Sequence, residues 1–302
     1  YTVQAAAEVS TVHFELQHLN DEPVERWLAG AARGGAVFGY DPLILNPALY
    51  AQIEPTMIEQ GASLRAVSPN PIDRAWVDRP DTPVKPAFPF PVAFSGETSL
   101  SKRQRLAERL RAARIDLLVE TQTDNIAWLL NWRGDEVPDN PVVQAFMLVD
   151  ATGAIDLFVD ARKLGDAVAE LELDGVTLHA PSAFLQRLSE RLKRGERVSM
   201  DPRFSPVGAA TTAREAGATV LIEPDPLTAL KAVKNSVELA GLRAASKRDS
   251  IAWVRFLAWL DAKIATTPIS EMDAEEEILR YRGELEHFVS PSFRTIAGAD
   301  AN

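Results

Sequence analysis

The stretch "VDRPDTPVKPAFPFPVAFSGETS" (77–99) divides the chain, because Pro80, Pro83, Pro86, Pro89 and Pro91 follow one another closely within it. Proline offers no ladder donor and cannot continue a helix, so this density dictates extended chain rather than a core element. It sets off residues 1–78 from residues 97–226, with 79–96 as the linker. On its N-terminal side, "GGAVFGYDP" (34–42) reads as a strand entering a turn, and "NPALYAQIEPTMIEQG" (46–61) as a helix. Asn46 can cap that helix, Pro47 suits its first position, Gly61 can close it, and Leu49, Ile53 and Ile58 are expected on one face. One strand and one helix are too few for a whole domain. Residues 1–78 are therefore expected to be the C-terminal part of a first α/β domain.

Beyond the prolines, "SLSKRQRLAERLRAARIDLLVET" (99–121) reads as a helix opened by a Ser101/Gln104 capping box, then a buried strand "DLLVE". "VVQAFMLVD" and "AIDLFVD" flank "ATG" as a hairpin. Helices and strands then alternate through "ARKLGDAVAELEL", "VTLHA", "PSAFLQRLSERLKR", "RVSMDP", "SPVGAATTAREAG" and "ATVLIEP". The fold class is α/β, and residues 97–226 form a second such domain with a mixed sheet. From 227 onward the pattern changes. A helix starting at Asn235/Glu238 runs to Ile264 with an apolar stripe of Leu239, Leu242, Ile251, Val254, Leu257 and Ile264; a second spans Ser270 to Arg282, and a strand closes the chain. Two helices and a strand cannot bury a core alone, so 227–302 is expected to be the N-terminal part of a third domain. The chain lacks an initiator Met and stops just after a strand, so both ends are expected to be missing.

The net charge of −11, with no basic run, argues against nucleic acid as a partner. The absence of cysteine removes thiol catalysis and zinc–thiolate sites, and fits a cytoplasmic setting. No apolar run reaches the roughly 20 residues that span a membrane. His13, His18, His179 and His287 form no H-E-x-x-H pair and read as structural or solvated. The acidic group Glu271, Asp273, Glu275, Glu276 and Glu277 reads as carboxylates complementing a helix N-terminus. One segment stands out: "IAWLLNWRGDEVPDNP" (126–141). It brings Asn131, Arg133, Asp135, Asp139 and Asn140 together on a loop bracketed by Gly134, Pro138 and Pro141. Its plain alternative is a self-satisfied loop in which Arg133 pairs with Asp135 or Asp139.

That segment closely resembles the Ile-Ala-Trp-Leu-x-Asn-x-Arg-Gly-x-Asp-x-x-x-Asn-Pro motif of the three-domain Xaa-Pro aminopeptidases (aminopeptidase P), which are pita-bread metallopeptidases. "GYDPLILNP" (39–47), "NPIDRAWVDRPDTPVKP" (70–86), "KAVKNSVELAGLRAASKRDSIAWVRFLAWLD" (231–261) and "FVSPSFRTIAGADAN" (288–302) resemble further family landmarks in the same order. Arg294 and "GADAN" depart from the family's usual Pro and Gly-Pro-Asn. The resemblance implies two creatinase-like α/β domains followed by the first helices and strand of a pita-bread catalytic domain. It implies release of the N-terminal residue from small Xaa-Pro peptides, two divalent ions, usually manganese, and a homodimer. It also implies that the metal ligands, two Asp, one His and two Glu, lie beyond Asn302, and that a substrate-side Arg lies just before Tyr1. No catalytic or metal-binding residue is thus expected in this chain, which alone should be inactive. Asn131, Arg133, Asp135 and Asn140 remain as a substrate-side loop. The alternatives are a non-catalytic relative binding a peptide or partner on the same scaffold, and a prolidase or creatinase relative, which would lack the extra α/β domain.

Overall fold

A computed structural model describes residues 2–298 apart from 33, 166–170 and 172. The first segment holds helices α1 (Thr2–Glu8) and α2 (Val24–Ala31), strand β1 (Val37–Tyr40), helix α3 (Pro47–Glu59), strand β2 (Ser63–Ala66) and helix α4 (Pro71–Ala75). β1 and β2 pair in parallel, with Phe38 opposite Leu64. Asn46 caps α3 by accepting from Leu49 N at 2.8 Å, and Pro47 stands at the first turn. The buried face runs through Ile53 and Met57 with Leu49 packed beside it, while Ile58 is exposed. Steps of four keep a side chain on one stripe and a step of five leaves it, so Met57 replaces Ile58 in the core.

The proline stretch is extended but not featureless. It contains β3 (Phe88–Pro89) and the single turn α5 (Val92–Ser95). Next come α6 (Ser99–Ala113), β4 (Leu117–Glu120), α7 (Thr123–Leu129), β5 (Trp132–Arg133), β6 (Phe146–Asp150), β7 (Ile155–Phe158), β8 (Val176–His179), α8 (Phe184–Arg191), β9 (Arg197–Met200), α9 (Val207–Glu215), β10 (Thr219–Ile222) and α10 (Pro226–Ala232). Thr98 rather than Ser101 caps α6: its hydroxyl accepts from Ser101 N at 3.2 Å, and Ser101 instead bonds Glu97. Of the helix expected over 161–173, the start is a 3-10 turn, Ala161–Lys163, and 166–170 and 172 lie outside the described residues.

Six strands form one mixed sheet in the order β10-β9-β4-β6-β7-β8. β10, β9 and β4 are parallel, β6 is antiparallel to both of its neighbours, and β7 and β8 are parallel. The β6–β7 hairpin turns at 151–153, where Gly153 takes φ 88° and the Asp150 carboxylate accepts from Thr152 N and Ala154 N. Alternation along the strands fills both faces. Leu118, Met147, Val149, Ile155 and Leu157 meet α6, α7 and α10, while Leu117, Val119, Leu148, Phe158, Val198 and Met200 meet α8 and α9. The result is a helix–sheet–helix sandwich with its hydrophobic mass on either side of β4.

The first segment docks on this sandwich through its backbone. Val207 N donates to Leu45 O at 2.8 Å and Gly208 N to Pro42 O at 2.7 Å, while Ala48 N reaches back to Pro202 O at 2.8 Å. Gly208 is required there, because a Cβ would stand 2.9 Å from Pro42 O.

The last segment is α11 (Ser236–Ile264) and α12 (Glu271–Gly283), both opened by capping boxes, Asn235 with Glu238 and Ser270 with Asp273. α11 buries Ala252 and Phe256 against Ile278 and Tyr281 of α12. The stripe expected on α11 faces outward instead: Leu239, Leu242, Ile251, Val254, Leu257 and Ile264 are all exposed. Among the described residues, the contact with α12 runs along the ridge at 252 and 256, with Trp259 and Leu260 packed beside it. The closing strand is also absent among the described residues, since 288–298 is irregular and pairs with no strand.

Candidate functional site

The segment 126–141 begins inside α7, whose residues 125–129 are all buried. The chain then reverses at Asn131, which takes φ 50°. Asparagine tolerates this left-handed conformation better than most residues, and here its side chain is fully used. Lys102 Nζ donates to Asn131 Oδ1 at 2.6 Å and to Trp128 O at 2.8 Å, and Asn131 Nδ2 donates to Glu97 O at 2.8 Å. The Lys102 ammonium lies 4.4 Å from the centre of the Trp128 ring. Asn131 is therefore buried and spent on the fold, the one member of the predicted loop set that faces no solvent.

β5 follows, antiparallel to β3, with Phe90 N donating to Asn131 O at 2.7 Å. This pairing lays Phe90 under Arg133, whose guanidinium sits 4.1 Å from the ring centre. Arg133 Nη1 also donates to Ala127 O at 3.1 Å and Trp132 O at 2.7 Å. In place of the alternative pairing with Asp135 or Asp139, Arg133 meets carbonyls and a π face. Burial holds the guanidinium below its ordinary pKa, and the Glu238 carboxylate opposes that shift. Gly134 comes next, and a Cβ there would lie 2.6 Å from Val143 Cγ2 and 2.9 Å from Val142 O. Asp135 and Asn140 are exposed, Asp139 takes φ 60°, and Val137 and Asn140 bridge to close the loop.

Sequence reasoning missed Glu136. It is buried, accepts from Lys163 Nζ at 2.9 Å and from Gln144 N at 2.6 Å, and pins the loop to the sandwich. Its partner is far along the chain, and no spacing rule connects the two.

The loop adjoins the start of α11. Trp128 Nε1 donates to Glu238 Oε1 at 3.1 Å, while Glu238 Oε2 accepts from Asn235 N at 2.9 Å and Asn235 Nδ2 donates to Ser95 O at 2.8 Å. Arg133, Trp128 and Glu238 thus mark the seam between the sandwich and the last segment. A cavity of about 510 Å³ opens farther along α11 between Asp249, Trp253, Arg282 and residues 285–296. Its charged pair is internally satisfied, with Arg282 Nε 2.7 Å from Asp249 Oδ1. The histidines are structural or peripheral: His179 Nε2 lies 2.6 Å from Asp156 Oδ1 and stacks on Phe158, and His287 rests edge-on against Phe94. Among the described residues no group of three or more His, Cys, Asp or Glu could hold a metal ion.

Residues 78–238 match the creatinase/prolidase N-terminal domain family. Probable Xaa-Pro aminopeptidase P of Aspergillus niger is 32% identical over 288 residues, covering 92% of this chain and 47% of its own length. That of Aspergillus fumigatus is 33% identical over 287 residues, covering 92% and 44%. The chain spans about half the length of the curated relatives it matches. The crystal structure of X-prolyl aminopeptidase from Caenorhabditis elegans, described as a cytosolic enzyme with a di-nuclear active site, superimposes with a TM-score of 0.89 at 26% identity, over 99% of this chain and 50% of that one. The chain belongs to the creatinase/prolidase family, on its aminopeptidase P branch.

Proposed function

We propose that the protein carrying this chain is an Xaa-Pro aminopeptidase, a metal-dependent hydrolase that releases the N-terminal residue from small peptides with proline second. The observation that carries this reading is the likeness over 99% of the chain, at a TM-score of 0.89, to X-prolyl aminopeptidase of Caenorhabditis elegans. Residues 1–78 and 97–226 act as the two creatinase-like domains, 79–96 as their linker, and 227–302 as the beginning of the catalytic domain. Two divalent ions, manganese by preference, a homodimeric assembly and a cytoplasmic location complete the reading.

The described residues do not fit a two-ion centre, because no suitable donor cluster stands among them. Their part is to shape access. The bond before proline is a tertiary amide with no N–H and a stiff flank, so position and exclusion matter more than backbone pairing with the substrate. Arg133, Asp135 and Asn140, held by the fixed turn at Asn131, border the cleft of the same or a neighbouring subunit and limit it to short peptides. The hydrogen bond from Trp128, just before the loop, to Glu238 at the α11 seam supports this placement.

The test is release of arginine from an Arg-Pro-Pro-type peptide by the full-length protein supplied with manganese. Release that a chelator abolishes is expected, and no release with metal present overturns the reading. These 302 residues alone should release nothing. Arg133→Ala in the full-length enzyme should relax the preference for short peptides, and unchanged kcat and KM across peptide lengths would remove the loop from the substrate side.

A further inference from the structure

Glu120 ends β4, and Asp225 caps α10, the short helix that leads into α11. Both carboxyls are out of water, at 1% and 5% exposure. Asn125 of α7 lies between them. Its Nδ2 donates to Glu120 Oε2 at 2.9 Å, Asp225 Oδ2 at 3.3 Å and Thr228 Oγ1 at 2.9 Å. The other carboxyl oxygens accept from the backbone, Glu120 Oε1 from Gln122 N at 2.7 Å and Asp225 Oδ1 from Leu227 N at 2.6 Å. An amide has two hydrogens, and three oxygens converge on this one. The two carboxyl oxygens that share it need another proton between them, because neighbouring buried carboxylates cannot both stay ionised.

Among the described residues, the groups that act most on the Glu120 carboxyl are Asp225, Gln122 and Asn125, none of them a cation. Asp124 of α7 pairs with Lys231 of α10. Asp201, after β9, receives the Asp225 N–H at 3.2 Å, and Glu223, after β10, accepts from Ser199 Oγ at 3.2 Å. Across the cleft from α10, α6 presents Arg105, Glu108 and Arg109, of which Arg105 pairs with Glu97 at 3.1 Å. Burial pushes the Glu120 carboxyl well above its usual range; Asp225 adds to this, and the Gln122 N–H and Asn125 amide oppose it.

We propose that Glu120 keeps its proton at neutral pH, hydrogen-bonded to Asp225, and that the two act as a clasp that fastens the start of α10 to the β4–α7 corner and loosens when the proton leaves. The folded chain then keeps a proton that the unfolded chain loses above about pH 4.3. The stabilisation is complete below that pH and is lost as pH rises through the folded-state value. Because α10 feeds α11, the seat of the last segment loosens with it.

Urea unfolding of this chain from about pH 5 to about pH 9 tests the clasp. The unfolding constant should rise by up to about tenfold per pH unit within the titration window. Glu120→Gln, whose amide can donate to Asp225 without titrating, should flatten that rise. Hydrogen-exchange protection of 226–232 should fall in the same window in the parent chain and not in the variant. Equal pH slopes for the two proteins, or protection that is independent of pH, overturn the proposal. Should Glu120→Gln not fold, Asp225→Asn gives the same comparison. Infrared spectra of the parent at neutral pH should in any case contain a protonated-carboxyl band, and its absence also overturns the clasp.

Discussion

The two ends of α7 solve the same problem in opposite ways. At its N-terminal end two acids, Glu120 and Asp225, are buried around the Asn125 amide. At its C-terminal end a base, Lys102, is buried against Trp128 O, Asn131 Oδ1 and the Trp128 ring. Both charge types suit the helix dipole at their own end. The difference lies in what each needs. The ammonium finds two oxygens and a π face that accept its hydrogens, whereas the acids depend on a proton that solvent can withdraw. Buried charge is thus held by carbonyl, amide and ring at one end of a seven-residue helix and by a carboxyl proton at the other.

The largest expected effect tests the lysine end. Lys102→Met leaves two buried acceptors without that donor and should cost about 2–4 kcal/mol. Denaturant titration of the two proteins at neutral pH should give this loss, and an unchanged midpoint would break the contrast. Gly134→Ala, one step past β5, forces a Cβ against Val143 and the Val142 carbonyl and should cost about 1–3 kcal/mol of unfolding free energy. If it costs nothing, the loop is not held as rigidly as the fixed turn implies. Asn235→Ala removes the α11 cap and the bond to Ser95 O, for about 1 kcal/mol, with exchange rising first in the opening turn of α11. Smallest is Trp128→Phe, which deletes the donor to Glu238 and should cost about 0.5 kcal/mol. A larger loss confined to α11 would sharpen the comparison, since it would show that the lysine end transmits its order across the seam.

What the sequence disclosed, and what it withheld, follows range of interaction. The caps at Asn46 and Asn235, the hairpin about Gly153 and the doubly buried β4 depend on neighbours a few positions away, and each is readable from spacing. Met57 instead of Ile58, and Thr98 instead of Ser101, are one- and three-residue shifts that only packing decides. The α11 stripe is legible as a period, but a period states which side chains could be buried and not which side a neighbour covers. In the 126–141 loop, residue types alone made Asn131 and Arg133 look alike. Folding separates them, one tied to Lys102 and the other laid over Phe90. The Glu136–Lys163 and Glu120–Asp225 pairs could not be anticipated, because each joins positions that only the finished sheet brings together.

The exchange between Pro42, Leu45 and the leading amides of α9 makes the first segment part of that helix's end rather than a passenger beside it. Cutting the chain within the proline stretch would therefore strip a helix of its lid as well as dividing two bodies. The sandwich prepared without residues 1–78 should be frayed at 207–208 even though every strand in it is present.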